Sequence, residues 1–204
     1  YELDFARSCD ILNDPDTAEV WRSKAAVRAE TINNELWDER KGFYFDLDYV
    51  AGSHSDIWSL ASVYPLWAGV ASKEQAARVV ENLDNFLYEG GLSTTTNNES
   101  ELARMIAHQW AYPNGWAPLQ WITTEALTKY GYHEKAEQIA RRWIHTNLEY
   151  YKRHGVFREA YNVTDVHADP AHGVYPPQVG FGWTNSAFVD LAKKYLSDDE
   201  LLKV

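Results

Sequence analysis

Gln109-Trp110-Ala111-Tyr112-Pro113-Asn114-Gly115-Trp116-Ala117-Pro118-Leu119-Gln120-Trp121 is the stretch from which the rest of this chain is read. It gathers three tryptophans, two prolines and an Asn-Gly pair into thirteen residues. An ordinary core helix has no use for that mixture. Proline interrupts helices and ladders, Asn-Gly predicts a tight turn, and each indole offers a flat face with one polar edge. A sugar suits such a surface, because its CH faces stack on aromatic rings while its hydroxyls need fixed polar partners.

Outward from this stretch the pattern is helical almost throughout. Tyr1 to Asn13 reads as a short helix ended by Asp14-Pro15, and Pro15 opens a second helix running to about Trp37. Lys41 to Tyr49 clusters aromatics behind Gly42 and predicts a β-hairpin arm. Ser55 or Asp56 caps an expected helix from Ile57 to about Val70, which Pro65 should kink or split. Lys73 to Tyr88 reads as a helix closed by Gly90-Gly91, Leu92 to Asn98 as a polar loop, and Glu99 to Ala107 as a short helix.

Asn114 is placed to cap a helix from Trp116 to Tyr130, with Pro118 in its first turn. His133 to His154 is the longest clean helix, ended by Gly155. Val156 to Tyr161 reads as extended, Thr164 to Gly180 as a long loop, and Thr184 to Leu196 as a closing helix. The class is all-α, with roughly seven helices in hairpins and a small β-hairpin. Loops carrying the polar and aromatic residues fit an α/α toroid, although a plain bundle would give the same periodicity.

Composition narrows the function. The chain has 204 residues, enough for one sizeable core, and 14% aromatics with 9 Trp and 13 Tyr. That many indoles point to a cleft as well as a core. A net charge of −11 argues against nucleic acid and anionic membranes as partners. The single Cys9 excludes an intrachain disulfide. No apolar run approaches a membrane span and no leader peptide is visible. The compartment stays open between cytoplasm and periplasm or secretion, with a slight preference for the cytoplasm. Because the chain begins at Tyr1, it reads as processed, trimmed or part of a longer polypeptide. His167 and His172 share a loop with Asp165 and Asp169, but no metal-ligand spacing such as His-Glu-x-x-His is present, so neither metal nor cofactor is expected.

Breaking a glycosidic bond needs two carboxyl groups flanking it. Glu159, in Gly155-Val156-Phe157-Arg158-Glu159-Ala160-Tyr161-Asn162-Val163, is the first candidate. Strand spacing puts Phe157 and Tyr161 on its side and sends Arg158 away. A carboxylate among aromatics is partly desolvated, a condition that favours work as a base. An exposed surface glutamate on a strand is the plainer alternative.

Four segments together resemble the trehalase family of inverting glycoside hydrolases. Residues 109–118 resemble its Gln-Trp-Asp-x-Pro-Asn-Gly-Trp-Ala-Pro signature, with Ala111 in place of Asp. Glu159 to Val163 resembles its Glu-x-Tyr-Asp/Asn-Val segment. Tyr175-Pro176-Pro177-Gln178-Val179-Gly180-Phe181-Gly182-Trp183-Thr184-Asn185 resembles Glu-Tyr-x-x-Gln-x-Gly-Phe-Gly-Trp-Thr/Ser-Asn, with Val174 at the first position. Gly90 to Thr95 resembles Gly-Gly-Leu-x-Thr-Thr. The matches run in order from about Gly42 to Leu196.

The resemblance implies an (α/α)6 toroid of which residues 1–204 form the C-terminal part, about half the ring. It implies Glu159 as the catalytic base and no metal. It also implies a sugar site drawn from Gln109, Trp110, Asn114, Gly115, Trp116, Tyr175, Gln178 and Trp183. Asn114 as a helix cap, and Trp116 and Trp183 as core filler, are the structural alternatives.

The family's general acid lies in an upstream Gly-Trp-Asp motif. This chain lacks it; its one Trp-Asp pair is Trp37-Asp38. An N-terminal segment or a second chain is therefore expected to complete the toroid. The implied reaction is hydrolysis of trehalose or a related α-glucoside with inversion. The alternatives are another (α/α)6 α-glucosidase acting on an oligosaccharide or a glucosylated small acid, and a non-catalytic sugar-binding relative.

Overall fold

A computed structural model describes residues 1–97, 108–171 and 175–203. The helix expected over 99–107 lies outside them, as do His172 and Val174. Among the described residues there are eight α-helices, with four two-stranded antiparallel sheets at their connections.

Helices α1 (Glu2–Ile11) and α2 (Pro15–Leu36) form a hairpin. Asp14 caps α2 by accepting the Thr17 N–H at 3.2 Å, and Pro15 sits in the first turn, where its missing N–H costs nothing. Of α2 only Ala18 is buried, although Ile32 and Leu36 near its end pack against the main core.

The expected hairpin arm over 41–49 is instead shared between two smaller hairpins. β1 (Trp37–Asp38) pairs with β2 (Phe43–Tyr44), and β3 (Leu47–Asp48) pairs with β4 (Ser53–His54). The cause is a turn used twice. Oδ1 of Asp38 accepts the N–H groups of Arg40 and Lys41, and Gly42 closes the turn at φ +66°. Asp48 does the same for Val50 and Ala51, with Gly52 at φ +67°. The aspartate side chains place the reversals at 38–42 and 48–52, so 43–48 runs between two turns.

Pro65 splits its helix, as expected, but the start is later. Ser59, not Ser55 or Asp56, caps a 3₁₀ turn over Leu60–Val63, and α3 (Tyr64–Ala68) follows with Pro65 in its first turn. α4 (Lys73–Asn82) is also shorter than expected. It passes through a 3₁₀ turn into β5 (Leu87–Tyr88), which pairs with β6 (Gly91–Leu92).

α5 (Ala117–Lys129) is the central helix, packed against α3, α6 (His133–His154) and α7 (Gly182–Tyr195). α6 ends as expected at Gly155, in left-handed conformation. A short α8 (Asp198–Leu201), absent from the sequence expectations, is opened by a Ser197/Glu200 capping box. The core has two parts. Phe43, Phe45, Leu60, Leu83, Phe86, Trp116 and Leu127 build the first around α3–α5. Trp143, Tyr150, Tyr161, Val163, Phe188 and Leu191 build the second between α6 and α7.

The fourth sheet lies where the two cores meet. β7 (Asn114–Trp116) pairs with β8 (Ala160–Asn162). Asn114-Gly115 is thus strand, not turn, and Asn114 does not cap α5. The reversal lies one step earlier, where the Asn114 N–H closes on the Ala111 carbonyl at 2.9 Å. Gly115 is required for close approach: a Cβ there would stand 2.4 Å from Val163 Cγ1 and 2.7 Å from the Leu92 carbonyl oxygen.

Gly115→Ala is expected to destabilise the protein by about 1–3 kcal/mol through overpacking. Gly182→Ala, where a Cβ meets nothing within 4 Å, should change stability by less than about 0.5 kcal/mol. Urea unfolding of the two variants side by side checks the contrast.

Candidate active site

The aromatic turn is seated on the threonine loop. Tyr112 N–H donates to Thr95 Oγ1 at 2.9 Å, and both the N–H and the Oγ1 of Thr94 donate to the Asn114 carbonyl at 2.9 Å. Ser93 to Thr96 are buried, so residues 93–96 of the expected polar loop are internal scaffold. Gln120, buried on α5, donates from Nε2 to the Leu92 carbonyl at 2.6 Å and accepts the Leu92 N–H at 2.9 Å. That pair replaces a ladder partner for β6. Sequence alone assigns Gln120 no role; its one signal is a long amide on the buried face of α5, which it shares with Thr123 and Thr124.

Above this scaffold the indoles form a layered corner. Trp110 stacks on Trp116 at 4.0 Å and 7°, and Trp183 stands edge-on to both at 83–88°. Phe181 packs against Trp183 at 4.8 Å. Trp116 is 1% exposed and its Nε1–H is taken by the Gln109 carbonyl at 2.7 Å. It is the under-layer of the corner. Trp110 and Trp183, 41% and 38% exposed, present the open surface.

Asn114 ties the turn to the long loop. Its Nδ2 donates to the carbonyls of Gln109 at 3.1 Å and Ala171 at 3.0 Å, while Oδ1 accepts the Ala171 N–H at 2.8 Å. Both donor hydrogens of this buried amide are therefore used inside the protein. Gly115 is also internal. Gln109 is largely buried, and its Nε2 reaches the Tyr175 carbonyl at 3.4 Å.

The pairing of Trp116 with Ala160 places Glu159, the residue just before β8, beside the aromatic turn. Glu159 is fully buried. Its N–H donates to the Gln178 carbonyl at 3.0 Å, and its Oε1 accepts the Gln178 N–H at 3.0 Å. The Tyr175 hydroxyl lies 3.5 Å from Oε2. Loop residues 175–178 thus hold the carboxylate, which corrects the plainer reading of an exposed surface glutamate. Phe157 and Tyr161 belong to the second core, against Phe188 and against Trp143 and Tyr150. Burial pushes the Tyr161 phenol well above its usual range, and its oxygen accepts the Arg158 N–H at 2.9 Å.

Arg158 does point away, pairing with Asp169 at 3.0 Å over the Tyr150 ring. Arg153 donates to the carbonyls of Val166 and His167, and Asn162 Oδ1 accepts from Thr164 and Asp165. The described part of the 164–171 loop is therefore anchored along its length. Among the described residues no three His, Cys, Asp or Glu side chains gather as a metal-binding group. Ala111 is buried where the signature has its Asp, and Asp38, of the one Trp-Asp pair, is occupied in the first hairpin turn.

A buried carboxylate, an open indole corner and an amide-locked loop thus meet at one small sheet. Residues 1–195 match the family model described as trehalase. The chain belongs to the trehalase family. It is 36% identical over 174 residues to the periplasmic trehalase of Pseudomonas aeruginosa, covering 85% of this chain and 30% of that protein. It superposes on neutral trehalase Nth1 from Saccharomyces cerevisiae with a TM-score of 0.80 and 31% identity, over 98% of this chain and 36% of that one. It shares its fold with a GH63 mannosylglycerate hydrolase from Thermus thermophilus at TM-score 0.66 and 23% identity, over 95% and 42% of the chains. The all-α architecture is part of an (α/α)6 toroid. The chain spans about a third of the length of these two trehalases.

Asn114→Ala leaves the Ala171 N–H and carbonyl without their partner. It is expected to cost about 1–3 kcal/mol and to speed amide exchange across residues 164–171 while α4 stays protected. Hydrogen-exchange mass spectrometry resolves the two regions.

Proposed function

We propose that this chain carries the base half of a trehalase-type active site, hydrolysing trehalose or a related α-glucoside with inversion. The observation that carries the reading is the buried Glu159 carboxylate, fixed by the 175–178 loop beside the indole corner of 109–116. Glu159 takes a proton from the attacking water. The open faces of Trp110 and Trp183 receive the sugar, with Gln109, Tyr175 and Gln178 around it. Asn114, Gly115 and Trp116 serve the site from beneath.

Residues 1–204 are proposed as the C-terminal part of one catalytic domain, whose general acid and remaining helices come from an N-terminal segment or a second chain. The α1–α2 hairpin supports this, since Leu3, Phe5, Val20 and Val27 stand exposed on it. So does an apolar cavity of about 360 Å³ between α2, β2 and α3, lined by Ile32, Leu36, Phe45, Tyr64 and Trp67 among others. Both are surfaces that further helices of a ring would cover. The net charge of −11 speaks against nucleic acid and anionic membrane surfaces. No helix among the described residues is long and apolar enough to cross a membrane. The cytoplasmic preference finds no support, because the P. aeruginosa relative is named periplasmic.

Ala111 favours a second reading. A methyl group where the family signature has a carboxylate fits a relative with an altered substrate, or one that binds sugar without cleaving it.

The test is trehalose hydrolysis by the longest natural polypeptide containing this segment, followed by proton NMR. β-Glucose and α-glucose should appear together in equal amounts before mutarotation, since only the attacked anomeric carbon inverts, and Glu159→Gln should lower kcat by about 10²–10⁴-fold, as loss of a general base does. Cleavage of other α-glucosides but not trehalose would move the substrate to the oligosaccharide or glucosylated-acid class. Saturable sugar binding with no turnover on any glycoside would establish the non-catalytic reading.

A further inference from the structure

The two oxygens of Glu159 are held unequally. Oε1 is tied to a backbone N–H, that of Gln178, at 3.0 Å. The surrounding pairing is strand-like: Arg158 bridges Val179 antiparallel, the Glu159 N–H meets the Gln178 carbonyl, and the Gly180 N–H meets the Phe157 carbonyl at 3.1 Å. Oε2 instead faces a side-chain hydroxyl, that of Tyr175, at 3.5 Å.

Tyr175 is separated from Gln178 by Pro176-Pro177. Their rings fix φ and remove two N–H groups, which stiffens the loop. Gln178 Nε2 donates to the Pro176 carbonyl at 2.7 Å and closes it further. At the other side, the Tyr175 carbonyl receives Gln109 Nε2, so this residue adds a second link between the aromatic signature and the base beside the β7–β8 pairing.

We propose that Tyr175 is a positioning residue for the base, and that Oε2 is the oxygen that takes the proton. The proposal rests on the hydrolase reading of the site. Oε1 is committed to a donor the backbone cannot withdraw, which weakens it as a proton acceptor. A hydroxyl can donate to Oε2 and also accept from the water that Oε2 activates. The 3.5 Å separation lies at the outer limit of a hydrogen bond and can tighten when substrate fills the site. In the step itself, a water O–H bond breaks as the Oε2–H bond forms, and the water oxygen bonds to the anomeric carbon. The glycosidic C–O bond breaks, and the leaving oxygen takes its proton from a carboxylic acid outside this chain.

The test compares wild type with Tyr175→Phe in the longest natural polypeptide, on the best α-glucoside, with and without azide. A positioning role predicts kcat down about tenfold with KM within about twofold and an unchanged melting temperature. Azide needs no deprotonation, so it should restore turnover and give the β-glucosyl azide. A misfolded or generally disturbed site would not be rescued in that way. If kcat is unchanged, or if KM alone rises, the proposal fails while the hydrolase reading stands. If wild type cleaves no glycoside, the hydrolase reading falls and this proposal falls with it.

Discussion

Asn114 pairs with Asn162, Gly115 with Tyr161 and Trp116 with Ala160, and everything distinctive about the site depends on that short antiparallel contact. It brings the aromatic turn and the carboxylate segment, well separated along the chain, onto one frame. A pairing of three residues is marginal alone. Here it is held from both sides: Val163 and the Leu92 carbonyl close on Gly115, and Tyr161 packs into the second core against Trp143 and Tyr150. The helices supply the walls, and the small sheet sets the relation between stacking surface and base.

Polar groups then do locally what a longer sheet would otherwise do. Gln120 stands in for a ladder partner of β6, Asn114 locks Ala171, and the Gln178 backbone pairs with both the N–H and the carboxylate of Glu159. Gln120 and Asn114 are buried and hydrogen-bonded, so stability is lost if either loses its partner. In this way the described parts of the 164–180 loop hold the Glu159 carboxylate in place. They are themselves fixed at Asn162, Arg153, Arg158, Asn114 and Gln109.

Much of this was legible in the sequence. Helical periodicity placed α1, α2, α5, α6 and α7 close to their observed limits, and clear breakers at Pro15, Gly131 and Gly155 punctuate the first four. The boundaries that shifted are those decided by side-chain hydrogen bonds. Asp38 and Asp48 moved the hairpin turns, Ser59 rather than Ser55 or Asp56 began the third helical segment, and Asn114 became strand because its amide serves a loop far along the chain. Periodicity carries no record of such partners. Composition likewise pointed to indoles beyond those a core needs, but not that Trp116 lies beneath Trp110, which follows from the stacking and the Gln109 carbonyl.

The central claim is that Glu159 Oε2 and the open Trp110 face address the same sugar. A crystal structure of the longest natural polypeptide, as its Glu159→Gln variant with an uncleaved α-glucoside, tests it directly. The account predicts a sugar ring against Trp110 and one water between residue 159 and the anomeric carbon. It also predicts a second carboxyl group from outside this chain about 6.5–9.5 Å away, the separation of an inverting pair. A sugar bound away from residue 159, or a second carboxyl only about 5–5.5 Å from it, would contradict the account.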